Sequence, residues 1–85
     1  MPGRDIESSA DRCEAVVLEI VLDHHPAHLS VEEVINEAAE DPLRFSDRTD
    51  TSEAIRDLVR TGLLHRSGKF VFATRAAVRV AELGI

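Results

Sequence analysis

Long apolar runs are missing from this chain of 85 residues, although 44% of its residues are hydrophobic. No run approaches the roughly 20 apolar residues that a membrane-spanning helix needs, and the N-terminal segment MPGRDIESSADR lacks the apolar core of a signal peptide. Every apolar run is interrupted by charge, which favours a folded domain over disorder. We therefore expect a single small cytoplasmic domain with no membrane partner.

Tryptophan and tyrosine are absent, and the chain has only one cysteine and four glycines. No glycine-rich loop suited to holding phosphate occurs, and the serines and threonines lie at capping or turn positions that already explain them. The paired acids Glu32 and Glu33 fall on a predicted exposed helix face. The sequence therefore argues against an enzyme and predicts no cofactor. Cys13 lies in an apolar helical pattern, and we interpret it as a small buried hydrophobic residue rather than a reactive thiol.

Three of the four histidines, His24, His25 and His28, lie close enough in sequence to suggest a metal site. Asp23 is the only acid or cysteine near them, and a loop of this length rarely fixes the geometry that zinc or nickel needs. Histidines at helix ends and in loops are common without a metal. The sequence therefore predicts no metal ligands.

The pattern of apolar residues in the first half of the chain predicts two helices. Residues 1–9 have no periodicity and are expected to form a flexible tail, whereas a helical pattern begins at Ala10 and ends at His24, before Pro26. Leu18 and Leu22 widen its apolar surface, which suggests packing on several sides or a dimer contact. The buried stripe of this first helix is predicted to be Cys13, Val16, Val17, Ile20 and Val21.

The second helix has a clear start signal, because Ser30 can cap it and Glu33 can complete a capping box. Leu29 can pack onto Val34 across this cap, and the helix should stop before Pro42. Its predicted buried face consists of Val31, Val34, Ile35, Ala38 and Ala39. In the connection that follows, Leu43 and Phe45 are expected either to anchor a short strand or to be exposed.

A third helix is expected over residues 51–61, with Asp50 or Thr49 as its cap and Gly62 in a left-handed conformation after it. The chain should then form a hairpin that turns at Ser67-Gly68. In this hairpin, Phe70 and Phe72 are predicted to face the helices and Val71 and Lys69 to face outward. Burial of these two phenylalanines is favoured over a role as stacking platforms for single-stranded nucleic acid. A fourth helix should begin after Thr74, end at Gly84, and pack against the first helix within the chain or across a two-fold axis.

The helix that ends in RTGLL and the short basic hairpin after it resemble the recognition helix and wing of winged-helix DNA-binding domains. Within that superfamily, the segments HLSVEEVINEA and TSEAIRDLVRTGLLHR look most like the DNA-binding half of ferric-uptake-type regulators. The metal-binding and dimerisation half of such regulators has no counterpart in this sequence, so metal sensing is not carried over. The resemblance covers residues 11–77 and implies a mainly α fold: a winged helix-turn-helix of three helices with a wing and a C-terminal helix, spanning residues 10–85.

The net charge of −6 opposes phosphate binding, but the charges are unevenly distributed along the chain. Residues 1–43 carry two arginines and eleven acids, whereas residues 44–75 carry seven basic residues and four acids. The resemblance therefore implies double-stranded DNA as the partner of a dimeric transcriptional regulator. The predicted DNA-contacting residues are Arg48, Thr49, Ser52, Arg56 and Arg60 on the third helix and Arg66 and Lys69 on the wing.

Two alternatives to DNA binding remain open at this point. The arginines could form a solvated helix face, with Arg56 and Arg60 paired to Glu53 and Asp57. The whole domain could also be a winged-helix module that binds another protein, since a fold does not fix a function. The net negative charge of the chain is consistent with this protein-binding alternative.

Overall fold

The structure, a computed structural model, describes residues 2–40 and 47–84, with side chains from Arg12 onward. The segments in these ranges are, in chain order, helix α1 (Pro2–His24), strand β1 (Leu29–Ser30), helices α2 (Val31–Glu40) and α3 (Arg48–Arg60), strands β2 (Leu64–Ser67) and β3 (Phe70–Ala73), and helix α4 (Arg75–Glu82). The described chain is therefore mainly helical with a small antiparallel sheet. The short strand expected around Leu43 and Phe45 lies outside the described residues.

Helix α1 ends at His24, two residues before Pro26, as predicted from the restriction that proline places on its predecessor. It begins at Pro2, so the predicted start at Ala10 was too late. The whole predicted stripe is buried, with no member more than 8% exposed: Cys13, Val16, Val17, Ile20 and Val21. Because these side chains recur at helical spacing, they give α1 one continuous apolar face for the other elements.

Helix α2 begins with the predicted capping box. The Ser30 N–H donates to Glu33 Oε1 at 2.8 Å, and the Glu33 N–H donates to Ser30 Oγ at 3.0 Å. The hydrogen bond from the Ser30 backbone is the main reason why the pKa of Glu33 lies below its usual value. Of the predicted buried face, Val34, Ile35 and Ala38 are buried, Val31 is half-buried and Ala39 is exposed.

Helix α3 is fixed at both ends, although its start differs from the prediction. Asp47 is the cap, and its side chain accepts the Asp50 N–H at 2.8 Å, so neither Thr49 nor Asp50 has this role. At the other end, Gly62 has a φ of 90°, as predicted for a left-handed residue. The Gly62 N–H donates to the Val59 carbonyl and the Leu63 N–H to the Leu58 carbonyl, which together form a Schellman motif.

The sheet has the order β1-β3-β2, with both pairings antiparallel. Ser67 lies opposite Phe70, so the hairpin turns through Gly68 and Lys69, and Gly68 has a φ of 60°. The Val31 N–H donates to the Lys69 carbonyl at 2.8 Å. This bond joins the hairpin turn to the first residue of α2.

The prediction for the faces of β3 was wrong. Val71 is fully buried, whereas Phe70 is 40% exposed. Phe72 is half-buried on the outer face, where its ring stacks on His28 at a centroid distance of 4.2 Å and lies 5.0 Å from His65. Alternation along the strand was predicted correctly, but its phase was reversed because the aliphatic face of α1 accommodates a valine at this position and the histidine rings cover Phe72.

The core lies between α1, α3 and the inner face of the sheet, and Ile55, Leu58 and Leu64 are each 2% exposed. Helix α4 is attached at its start, as predicted, because Thr74 Oγ1 accepts the Ala77 N–H at 3.2 Å. The same hydroxyl donates to the Gly62 carbonyl at 2.7 Å. One threonine side chain therefore links the end of α3 to the start of α4.

The phase of β3 can be tested by comparing two alanine substitutions. Val71→Ala should lower the free energy of unfolding by about 2 kcal/mol, because two buried methyl groups are lost and a cavity is left. Phe70→Ala should lower it by less, about 1 kcal/mol, since 40% of this residue is already exposed in the folded state. Urea unfolding of the two variants and the parent measures both values, and a larger loss for Phe70→Ala would contradict the observed phase.

Candidate nucleic-acid interface

Helix α3 carries the predicted recognition residues on one flank. The burial of Ala54, Ile55 and Leu58 against the core orients the helix, and its other flank faces solvent. Of the predicted stripe, Ser52 is half-buried and the others are exposed: Thr49, Arg56 and Arg60. These four side chains lie at successive turns, and hence they share a surface that a ligand can reach.

Thr51 is fully buried on the inner side of the same helix. Its hydroxyl has no hydrogen-bond partner among the described residues. Its inward position was not predicted, because a hydroxyl in the first turn of a helix is more commonly explained as a cap. Helix α3 therefore presents Ser52, and not its neighbour Thr51, to the outside.

Arg48, at the start of α3, is paired with a carboxylate from α2. Its Nη1 and Nη2 donate to the two carboxylate oxygens of Glu32 at 2.9 and 2.8 Å. These hydrogen bonds are the main cause of a lowered pKa for Glu32 and a raised pKa for Arg48. The pair was missed by sequence reasoning because the two residues belong to different helices. It also places one acid of the acidic half beside the predicted recognition helix.

Arg60 and Asp57 form an ion pair one turn apart on α3. This arrangement agrees with the alternative that the helix arginines pair with neighbouring acids. The alternative does not extend to Arg56 and Glu53, because neither forms an ion pair with any residue in the ranges 2–40 and 47–84. Arg56 is therefore the α3 arginine that has no ion pair among the described residues.

The two cations of the hairpin are exposed and held close to its turn. Arg66 Nε donates to the Gly68 carbonyl at 2.9 Å. The Lys69 ammonium lies 5.5 Å from the centroid of the Phe70 ring, within the range of a cation–π contact. The contacts with the Gly68 carbonyl and the Phe70 ring restrain these two side chains, and their charges remain in solvent.

A pocket of about 190 Å³ lies where α3, the start of α2 and strand β2 meet. It brings together three of the seven predicted contact residues, Ser52, Arg56 and Arg66. Its other lining residues are the aliphatic side chains Val31, Ile55 and Val59. The pocket was not predicted, because it depends on how closely the hairpin approaches α3.

Within the described part of the chain, no three His, Cys, Asp or Glu side chains lie close enough to hold a metal ion. His24 Nε2 lies 3.2 Å from Glu37 Oε1, and His28 stacks on Phe72. Each of these two side chains therefore has a protein neighbour that accounts for its position.

The fold and the charges define a class of molecule, a small mainly helical domain with an exposed cationic helix flank beside a basic hairpin. No helix among the described residues has the length and apolar character needed to cross a membrane. Comparisons with protein-family models, curated proteins and solved structures found no match to this chain.

The Arg48–Glu32 pair should make stability depend on pH. Because the pKa of Glu32 is lowered in the folded state, the contribution of the pair is fully present above its usual value of 4.5 and is lost as the pH falls below it. The difference in unfolding free energy between the parent and Glu32→Gln should therefore be largest near neutral pH and shrink in acid. Urea unfolding at a series of pH values in low salt measures this difference.

Glu53→Gln is the matched control, because it removes a carboxylate from α3 without breaking an ion pair of the described chain. A difference for Glu32→Gln that stays constant from neutral to acidic pH would contradict the role assigned to the pair.

Proposed function

We propose that this chain is a winged-helix domain that binds double-stranded DNA and acts in the cytoplasm as a small transcriptional regulator. In this proposal α3 enters the major groove, and the β2–β3 hairpin is the wing that contacts phosphates or the minor groove. The order of elements supports it, since a helix, a strand, two helices and a hairpin follow one another and the strands form one sheet.

The main support for the proposal is that Arg56 and Arg66 line the same pocket as Ser52. The two arginines come from different elements, and none of the residues lining the pocket carries a carboxylate. Guanidinium groups and hydroxyls are the side chains that bind phosphates and the acceptor edge of guanine. A phosphate backbone or a base edge at this junction could therefore contact helix and hairpin together.

The two arginines that are already paired do not oppose this function strongly. In the Arg48–Glu32 pair the side chains are 62% and 63% exposed, and the Arg60 side chain is 73% exposed. Exposed ion pairs contribute little to stability, since water screens them. A DNA phosphate can therefore compete for either arginine, and the carboxylates reduce the affinity instead of abolishing it.

The second candidate is a winged-helix module that binds another protein. It is supported by the net charge of −6 and by the pairing of Arg48 and Arg60 with carboxylates of the same chain. Both features lower the attraction to a polyanion, whereas a protein surface of mixed charge tolerates them. DNA binding at low salt distinguishes the two candidates.

A gel-shift titration on mixed-sequence duplex DNA tests the proposal. The protein should retard the duplex at low salt, and the logarithm of its affinity should fall by about 0.9 per phosphate contact for each tenfold rise in salt. Arg56→Ala and Lys69→Ala should each weaken binding several-fold and make the salt dependence shallower, because each removes about one cationic contact.

Arg79→Ala is the matched control, since it removes the same charge from α4, where Arg79 lies beside Glu82. It should bind DNA like the parent protein. Failure of the parent to retard DNA even at low salt would exclude the DNA-binding proposal and favour the protein-binding module.

We further propose that the regulator is a homodimer formed through α1 and α4. Of helix α4, Val80 is 41% exposed, and Leu83 just beyond its end is 55% exposed. A shallow groove of about 390 Å³ lies beside them, with Leu18 and Leu22 of α1 and Ala81 of α4 among its lining residues. Two copies related by a two-fold axis could cover these apolar side chains and present two α3 helices to DNA.

Molecular mass in solution tests the dimer. Light scattering should give twice the chain mass of 9.4 kDa, and Leu83→Lys should shift the protein towards the monomer by placing a charge in the apolar contact. Phe70→Lys, at an exposed apolar residue of the hairpin, should leave the dimer intact. A single-chain mass at high protein concentration would exclude this assembly.

A further inference from the structure

The pocket at the junction of α3 and the hairpin has two chemically different sides. Val31, Ile55 and Val59 supply aliphatic surface from α2 and α3. Ser52, Arg56 and Arg66 supply a hydroxyl and two guanidinium groups. A concave site with an apolar wall and a few converging polar groups is the usual form of a small-molecule site.

The guanidinium groups of this pocket are free to bind a ligand. Arg56 has no ion-pair partner within the described part of the chain. Arg66 is held by one hydrogen bond from Nε to the Gly68 carbonyl, at 2.9 Å, and that bond leaves the two terminal nitrogens available. Since this hydrogen bond restrains the side chain, less conformational freedom is lost when the terminal nitrogens bind an anion.

The size of the pocket limits the ligand. Its volume is about 190 Å³, below the range of roughly 300 to 1,000 Å³ that is typical of sites for drug-sized molecules. At about 30 Å³ for each water-sized group, it accommodates roughly six non-hydrogen atoms, which is about the hydrocarbon body of a short branched acid. A nucleotide or a peptide segment exceeds this limit, whereas a short branched acid fits.

We propose that this pocket binds a small organic acid with one anionic group and a short branched hydrocarbon body. The anionic group, a carboxylate or a phosphate, lies between Arg56 and Arg66 and accepts a hydrogen bond from the Ser52 hydroxyl. The hydrocarbon contacts Val31, Ile55 and Val59. Arginine is suited to both anions because its planar fork donates two parallel hydrogen bonds.

Binding of the acid does not require DNA, but it bears on the proposed function. Arg56 and Arg66 belong to both sets of residues, so an acid in the pocket occupies two cations of the proposed DNA surface and lowers their net positive charge. If the protein binds DNA as proposed, the acid competes with it and acts as an effector.

Titrations followed by heteronuclear NMR on the complete chain test the site without DNA. The probes are isovalerate, isopentyl phosphate, the neutral 3-methylbutanol, and acetate and inorganic phosphate as anions without the hydrocarbon. At least one of the two branched anions should bind about tenfold or more tightly than 3-methylbutanol, because its hydrogen bonds are charge-assisted. It should also bind several-fold more tightly than acetate or inorganic phosphate, because the hydrocarbon is buried.

The comparison of isovalerate with isopentyl phosphate identifies the anionic group that the site prefers. Arg56→Gln and Arg66→Gln should each weaken the preferred acid about tenfold, and Arg79→Gln should leave its affinity unchanged. The proposal would be overturned if the acid and 3-methylbutanol bound with equal affinity. It would also be overturned if Arg79→Gln weakened binding of the acid as much as Arg56→Gln and Arg66→Gln do. Unfolding curves verify that the variants are folded, as expected for substitutions of exposed side chains.

The outcome is separable from that of the DNA experiment. Acid binding by a protein that does not retard DNA supports the pocket and excludes the regulator. DNA binding by a protein that does not prefer the acid to the alcohol supports the regulator and excludes the pocket as an acid site. Where both occur, a fixed duplex titrated with the acid should be released, and release should be lost in Arg66→Gln.

Discussion

The central strand β3 is the constraint on which the rest of the structure depends. It is paired on both sides, with β1 before α2 and with β2 after α3, so its register fixes where two helices meet the sheet. Burial of Val71 against the helices selects one of the two faces that the strand can present. The hydrogen bond from Val31 to the Lys69 carbonyl then fixes the hairpin turn beside α2. The approach of Arg66 to α3, and with it the pocket, follows from this register.

The charges of the domain are organised locally, in spite of its net charge of −6. Glu32 holds Arg48 and Asp57 holds Arg60, so the two ends of α3 are each neutralised by a carboxylate. Arg56, in the middle of the helix, is the α3 arginine without an ion pair within the described ranges, and Arg66 of the hairpin lines the same pocket. In both proposals the ligand is an anion that these two arginines attract at the junction of α3 and the hairpin.

Local signals in the sequence predicted much of the fold. The stripe of α1, the Ser30–Glu33 capping box, Gly62 after α3 and the Thr74 cap each depend on residues a few positions apart, and the structure has all of them. The predictions for the phase of β3 and for the cap of α3 were wrong: the cap is Asp47, not Asp50 or Thr49. Competing local solutions differ little in energy, and tertiary packing decides between them. The ion pair of Arg48 and the pocket beside Arg56 join distant parts of the chain, which a pattern within one helix cannot show. Whether the predicted residues contact DNA stays a prediction.

The brevity of the outer strands has a consequence for solution behaviour. β1 has two residues and passes directly into α2, and β2 has four, including His65 and Arg66, whose side chains are exposed. Backbone groups at the rim of a sheet can recruit a strand from another molecule, and short, charged rims resist this. The domain is thereby protected against edge-to-edge aggregation. In the proposed dimer the contact is made by helices, whose side chains can specify a geometry that a bare backbone ladder cannot.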